Sequence, residues 1–140
     1  MALVDPLGRI LTEIRDDPGV AAITSRVRGG EPASGDALGP GSYVPFVVLS
    51  RLGSLRLKRA PIQEVRLVAR CYGATAQGAA ALAGAVSNAI HAKDHRINGS
   101  GVAIFGSFDD GGLGADKDPD TKQPLESLVI QVGASTELLT

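Results

Sequence analysis

The sequence predicts an α+β domain, a mostly antiparallel β-sheet packed by two α-helices, and three observations carry that prediction. The apolar pattern runs helix, strands, helix, strands, without the strand–helix alternation of a parallel sheet. The stretch "QEVRLVARCY", Gln63 to Tyr72, alternates apolar and polar residues with a period of two, as a strand with one buried face does. The length of 140 residues suits a single domain, which buries roughly 68–70% of its unfolded surface. With 44% apolar residues but only 4% aromatics, its core must be built from Ala, Val, Leu and Ile.

The elements follow in order. In "DPLGRILTEI" Asp5 caps a first helix and Pro6 takes its first position, where a missing N–H costs nothing. Leu7, Ile10, Leu11 and Ile14 make one apolar stripe, and Pro18 with Gly19 is expected to end the helix. "VAAITSRV" keeps helical spacing at Val20, Ile23 and Val27 and then turns toward a strand. "RGGEPASGDALGPG" has no periodicity and five glycines, so a mobile loop is expected over about 28–42. "YVPFVVLSR" is a strand whose Pro45 puts its start at an edge or a bulge. "LGSLRLKRAP" reads as a polar connection. In the central strand Val65, Leu67, Ala69 and Cys71 take one face, and Glu64, Arg66, Arg70 and Tyr72 the other, with Val68 among them. A second helix runs from Thr75 to about His91, its stripe formed by Ala79, Leu82, Ala83, Val86, Ala89 and Ile90. Gly78 and Gly84 cost about 1 kcal/mol each relative to Ala, offset if they allow close approach to a neighbouring backbone. Two more strands, "GVAIFGSF" and "PLESLVIQVGA", flank an acidic loop expected over 109–123, and Leu128, Ile130 and Val132 of the last face the core.

A net charge of −1 gives no global drive toward nucleic acid or membrane. The charge is segregated, however. Arg51 to Arg70 holds six basic residues and one acid, whereas Asp109 to Glu126 holds six acids and two lysines, a pattern suited to complementary surfaces on neighbouring copies. The single cysteine excludes an intramolecular disulfide and suits a reducing compartment. No apolar run reaches signal-peptide or membrane-span length, so the expectation is a soluble chain made in the cytoplasm.

No catalytic, cofactor or metal site is expected. Gly73 and Gly78 have the glycine spacing of a phosphate loop, but Ala79 and Ala80 replace its Lys and Ser/Thr, and Thr75 replaces the second glycine of a dinucleotide fingerprint. Gly73 is therefore read as a turn, and Thr75 as the cap of the second helix. Asp116, Asp118 and Asp120 match the first ligands of a calcium loop, yet Thr121 and Ser127 stand where it needs Gly and Glu. His91 and His95 have i, i+4 spacing without a third ligand. Cys71, on the apolar face, reads as a core residue, not a nucleophile. No G-x-S-x-G context is present, and Tyr72 is the single aromatic near basic residues.

Taken together, the capped helix "DPLGRILTEI", the following "DDPGVAAITSRV", the Gly/Pro-rich loop into "YVPFVVLS", the strand-to-helix unit "EVRLVARCYGATAQGAAALAGAVSNAI", the acidic glycine-rich loop and the closing strand "ESLVIQV" resemble the tail terminator (tail completion, lambda minor tail protein U-like) proteins of long-tailed bacteriophages. The resemblance spans nearly the whole chain. It implies a virion structural protein without enzymatic activity, assembled in the bacterial cytoplasm. Such a protein forms a hexameric ring that caps the tail tube, stops its growth and meets the head connector or a head-completion protein. DNA then passes through the channel as cargo, and no membrane or cofactor is involved. Under this reading Arg66, Arg70 and Tyr72 lie on a subunit- or lumen-facing surface. Gly30, Glu31, Asp36 and Gly41 belong to one docking loop, and Asp109, Asp110, Asp116, Asp118 and Asp120 to another. Two alternatives stay open: a different neck protein, such as a head-closure or connector component, and a small ligand-binding domain or enzyme.

Overall fold

The computed structural model describes residues 7–52, 56–59, 62–92 and 103–135. Along the chain stand α1 (Leu7–Asp16), α2 (Pro18–Ala21), β1 (Val27–Gly29), β2 (Phe46–Arg51), β3 (Arg56–Arg59), β4 (Ile62–Tyr72), α3 (Ala76–Ala92), β5 (Ala103–Lys117) and β6 (Pro124–Ser135). The strands form one sheet in the order β1-β2-β4-β6-β5, with β3 also paired to β4. Every pairing is antiparallel except β1 with β2. This is the predicted α+β architecture.

The helices cover one face of the sheet. Leu67, Ala69 and Cys71 of β4 are fully buried there with Val47 and Leu49 of β2 and Leu128 and Ile130 of β6, and Leu82, Val86 and Ile90 of α3 close over them. Each of the Val, Leu and Ile side chains contributes about 1.5–3 kcal/mol by leaving water. Ile10 and Ile14 of α1 join the same core.

Four expectations are corrected. α1 ends at Asp16, before Pro18 and Gly19, as expected, but Val20, Ile23 and Val27 do not continue as one buried helical stripe. Asp17 caps a further turn, its carboxylate accepting from the Gly19 and Val20 amides, with Pro18 at the first helical position. Ile23 is left exposed, while Val20 and Val27 are buried. The connection after β2 contains β3, which continues along β4 where β2 stops, because Arg56 to Arg59 faces an unpaired stretch of β4. The acidic loop is shorter than expected. Asp109 to Lys117 is strand, its glycines absorbed by register shifts between Asp109 and Gly112 and between Gly112 and Gly114, so the loop is reduced to 118–123.

The fourth correction concerns the glycines. Nothing lies within 4 Å of a Cβ built on Gly84, and one on Gly78 meets only Thr75 Oγ1 at 3.3 Å and Gly73 Cα at 3.9 Å. The close backbone approach is made by Gly73, where a Cβ would lie 2.2 Å from the Ala79 nitrogen. A hydrogen on Gly73 lets the end of β4 sit directly on the first turn of α3. Asp5 and Pro6 lie outside the described residues.

Candidate interaction surface

The sheet face away from the helices carries Arg66 and Arg70, two of the residues that the sequence marked for interaction. Cross-strand partners share a face, so the register places Arg28, Val48, Arg70 and Ser127 in one row and Arg66 beside Gln131 in another. Arg66 and Arg70 are exposed, and Arg70 Nη1 lies 3.5 Å from Ser50 Oγ, which accepts from it. Between these arginines Val68 and Val129, opposite each other in the ladder, are nearly buried. The long arginine stems suit such a half-apolar surface, since they pack along it while their guanidiniums stay in water.

Tyr72 does not belong to that exposed set. The residue is only 7% exposed, its ring stacked on Phe46 with centroids 4.2 Å apart and planes inclined by 9°. The two face each other across β2 and β4 and form a second small core with Val48 and Leu125. Strict alternation puts Tyr72 on the arginine face, but the apolar neighbours supplied by β2 and β6 bury it. Burial raises the pKa of its phenol, and the nearby Asp118 carboxylate adds to the rise.

The loop after β1, expected to be a docking loop, is organised by its own Asp36. Asp36 is 0% exposed, and its carboxylate accepts from Arg26 Nη1 at 2.9 Å, Arg28 Nε at 2.9 Å and the Ala33 amide at 2.8 Å. Arg26 and Arg28 are two apart on extended chain, so both reach the same side. Burial pushes the Asp36 carboxyl up, but the bonds from Arg28, Arg26 and Ala33 outweigh it and leave it below the usual carboxylate range. The same contact raises Arg28. Gly30, Gly35 and Gly41 take the left-handed turns around this anchor with φ of 85°, 87° and 86°. Glu31 and Gly41, unlike Asp36, are exposed.

The two loops meet at one end of the sheet. Tyr43, just after Gly41, donates its hydroxyl to the Thr121 carbonyl at 2.5 Å. Gln123, fully buried, donates from Nε2 to the Val44 carbonyl at 2.7 Å and to the Gly73 carbonyl at 3.3 Å, tying three segments together. Asp118 Oδ1 accepts from the amides of Thr121 at 2.9 Å and Asp120 at 2.8 Å, and these bonds, that of Thr121 foremost, hold its pKa down. It is the turn-forming aspartate of this loop. Asp116 and Asp120 are exposed, whereas the side chains of Asp109 and Asp110 lie outside the described set. Arg26, Arg28, Tyr43 and Gln123 were not singled out from the sequence, because the contacts that give them a role span a glycine-rich loop or about eighty residues of chain.

The segment 73–78 is packing. The Gly73 amide donates to the Pro124 carbonyl, Gly78 to Thr75 Oγ1 at 3.0 Å, and Ala79 to the Thr75 carbonyl, so Thr75 caps α3 as expected. Cys71 is buried and its thiol is pushed up to about 12, first by burial and then by Glu126. Among the described residues no group of three or more His, Cys, Asp or Glu is placed to hold a metal, and no helix is long and apolar enough to cross a membrane. The pair His91 and His95 falls outside the described side chains.

A mostly antiparallel sheet covered on one face by helices defines the class of fold. A solved structure shares it: a chain of the "Virion of native gene transfer agent (GTA) particle" superposes with a TM-score of 0.58 at 17% identity, covering 90% of this chain and 91% of that one. No family model matches the chain, and a comparison with curated proteins finds no match.

Proposed function

We propose that the chain is a structural, non-enzymatic virion protein of a long-tailed phage or phage-like particle. In this reading it caps the end of the tail tube as a hexameric ring, stops tube growth and forms the joint to the head connector or head-completion protein. The observation that carries it is the fold shared, over nearly the full length of both chains, with a component of the gene transfer agent virion. The sequence resemblance to tail terminators points the same way. Its partners are further copies of itself, the tail tube protein and the connector side of the head, with DNA passing through as cargo.

The geometry supports a division of labour. Arg66 and Arg70 project from the open sheet face toward a neighbouring subunit or the channel. Glu31 and Gly41 on one loop, and Asp116 and Asp120 on the strand end and turn that this loop meets, supply exposed groups for docking to an adjoining ring. Asp36 and Asp118 hold those loops in shape.

The test is assembly. Light scattering and negative-stain microscopy, with and without purified tail tubes, should show rings of about six subunits or density capping tube ends, and the Arg66→Glu/Arg70→Glu double variant should lose both. Normal rings and capping by that variant would remove the arginines from the interface. A wild-type chain indifferent to tubes but bound to filled heads would move it elsewhere in the neck.

A further inference from the structure

We infer that neighbouring copies of this chain join edge to edge, the basic β3 margin of one sheet adding onto the β5 edge of the next. The inference rests on the ring reading and names the strands that close the ring.

Among the described residues both margins are open. β5 ends the sheet and pairs with β6 alone, while β3 pairs with β4 alone. β1 covers β2 at Val47 to Leu49 and reaches no further along that margin. An open edge presents a row of backbone donors and acceptors ready to receive another strand. β5 is 15 residues long, well above the usual 3–10, so its edge is a large one to leave unpaired. Two of its three register shifts lie beyond Asp109, leaving Ala103 to Asp109 as its more regular half.

Strand direction fits the junction. β3 is antiparallel to β4, β4 to β6 and β6 to β5. Directions therefore alternate across these four strands, and a next copy beginning with β3 meets β5 antiparallel, continuing the same ladder.

Level and charge fit it too. Through the register, Leu57 stands level with Gln63, Ala134 and Ile104, and Arg51 with Leu67, Ile130 and Asp109. The more regular half of β5 thus spans the same height as β3 and the end of β2, Arg51 to Arg59 in the sequence. That stretch carries Arg51, Arg56, Lys58 and Arg59 and no acid, whereas β5 carries Asp109, Asp110 and Asp116 against Lys117. Opposite charge on two different margins makes a heterologous contact, the kind that closes into a ring when its rotation divides the circle.

Cysteine cross-linking of the full-length chain tests this. Leu57→Cys is combined in turn with Ile104→Cys, Gly106→Cys and Phe108→Cys, which covers small offsets in height. Within one chain the two positions are three strand spacings apart, about 14 Å, too far for an intramolecular disulfide. Buried Cys71 stays out of the exchange. Oxidation should convert most of the chain into SDS-resistant multimers, up to the ring size, in at least one pairing. Rings seen by microscopy without such cross-links would overturn the edge contact and leave the ring reading standing. Cross-linked chains that never cap tubes would sustain the edge contact and sink the terminator reading. Absence of both rings and cross-links overturns both. Efficient dimerisation by Leu57→Cys alone would show a symmetric β3–β3 contact and overturn the inference. Should the cysteine variants fail to fold, charge exchange decides: Arg56→Glu/Lys58→Glu should dissociate rings, and adding Asp109→Lys/Asp110→Lys to the same chain should restore them. Failure of that rescue while the swapped chain is folded also counts against the contact.

Discussion

Asp36 shows how one residue shapes a surface loop. An isolated carboxylate with no exposure is costly, and this one is tolerated because two guanidiniums and a backbone amide meet it. Its pKa is lowered by folding, so its contribution is present above the unfolded value of about 3.9 and is lost as pH falls through the lower folded value. Asp36→Asn should therefore lower stability by about 1–3 kcal/mol at neutral pH, the range for bonds to charged groups. Urea unfolding between pH 7 and pH 3 should show the gap to wild type narrowing below about pH 4. A gap that stays constant with pH would mean that the charge contributes nothing. Asp118, also lowered, leaves both proteins with some acid sensitivity.

At the scale of elements, the β4–α3 corner is where sequence and packing are most tightly coupled. Gly73→Ala would drive a Cβ into the backbone of Gly78 and Ala79, a clash that no side-chain movement relieves. The expected loss is about 3 kcal/mol or more, in the range where backbone strain and overpacking act together. Gly84→Ala, in the middle of α3 with open space around it, should instead stabilise the free chain by about 0.5–1 kcal/mol. Thermal unfolding of the two variants side by side separates the roles, and a neutral Gly73→Ala would refute the packing account of that glycine.

For the whole molecule, the charges are arranged more informatively than their sum. A net charge of −1 hides a sheet with arginines on its open face and opposite charges at its two margins. If copies associate through those groups, assembly must weaken with salt, since screening shortens the reach of charge from about 10 Å at 0.1 M to about 3 Å at 1 M. Light scattering at fixed protein concentration should show the assembled fraction falling several-fold over that range. Assembly that strengthens with salt would point to an apolar interface.

The sequence by itself determined the architecture, because periodicity is a local property. The alternation at Leu67, Ala69 and Cys71, the stripe Leu82, Val86 and Ile90, and the Thr75 cap are each written within a few residues and appear as read. It also marked Gly73 as the residue at which β4 turns into α3. The tertiary structure alone decided what depends on partners distant in the chain. Tyr72 is buried because β2 brings Phe46 against it, Asp36 because β1 and the residue just before it bring two arginines, and Gln123 because Val44 and Gly73 meet there. β3 and the far half of β5 lack strong strand patterns and are strands because β4 and β6 offer them a ladder. An exposed loop and a pinned one have the same composition, and burial of a polar group is a statement about its neighbours, which a linear pattern does not contain.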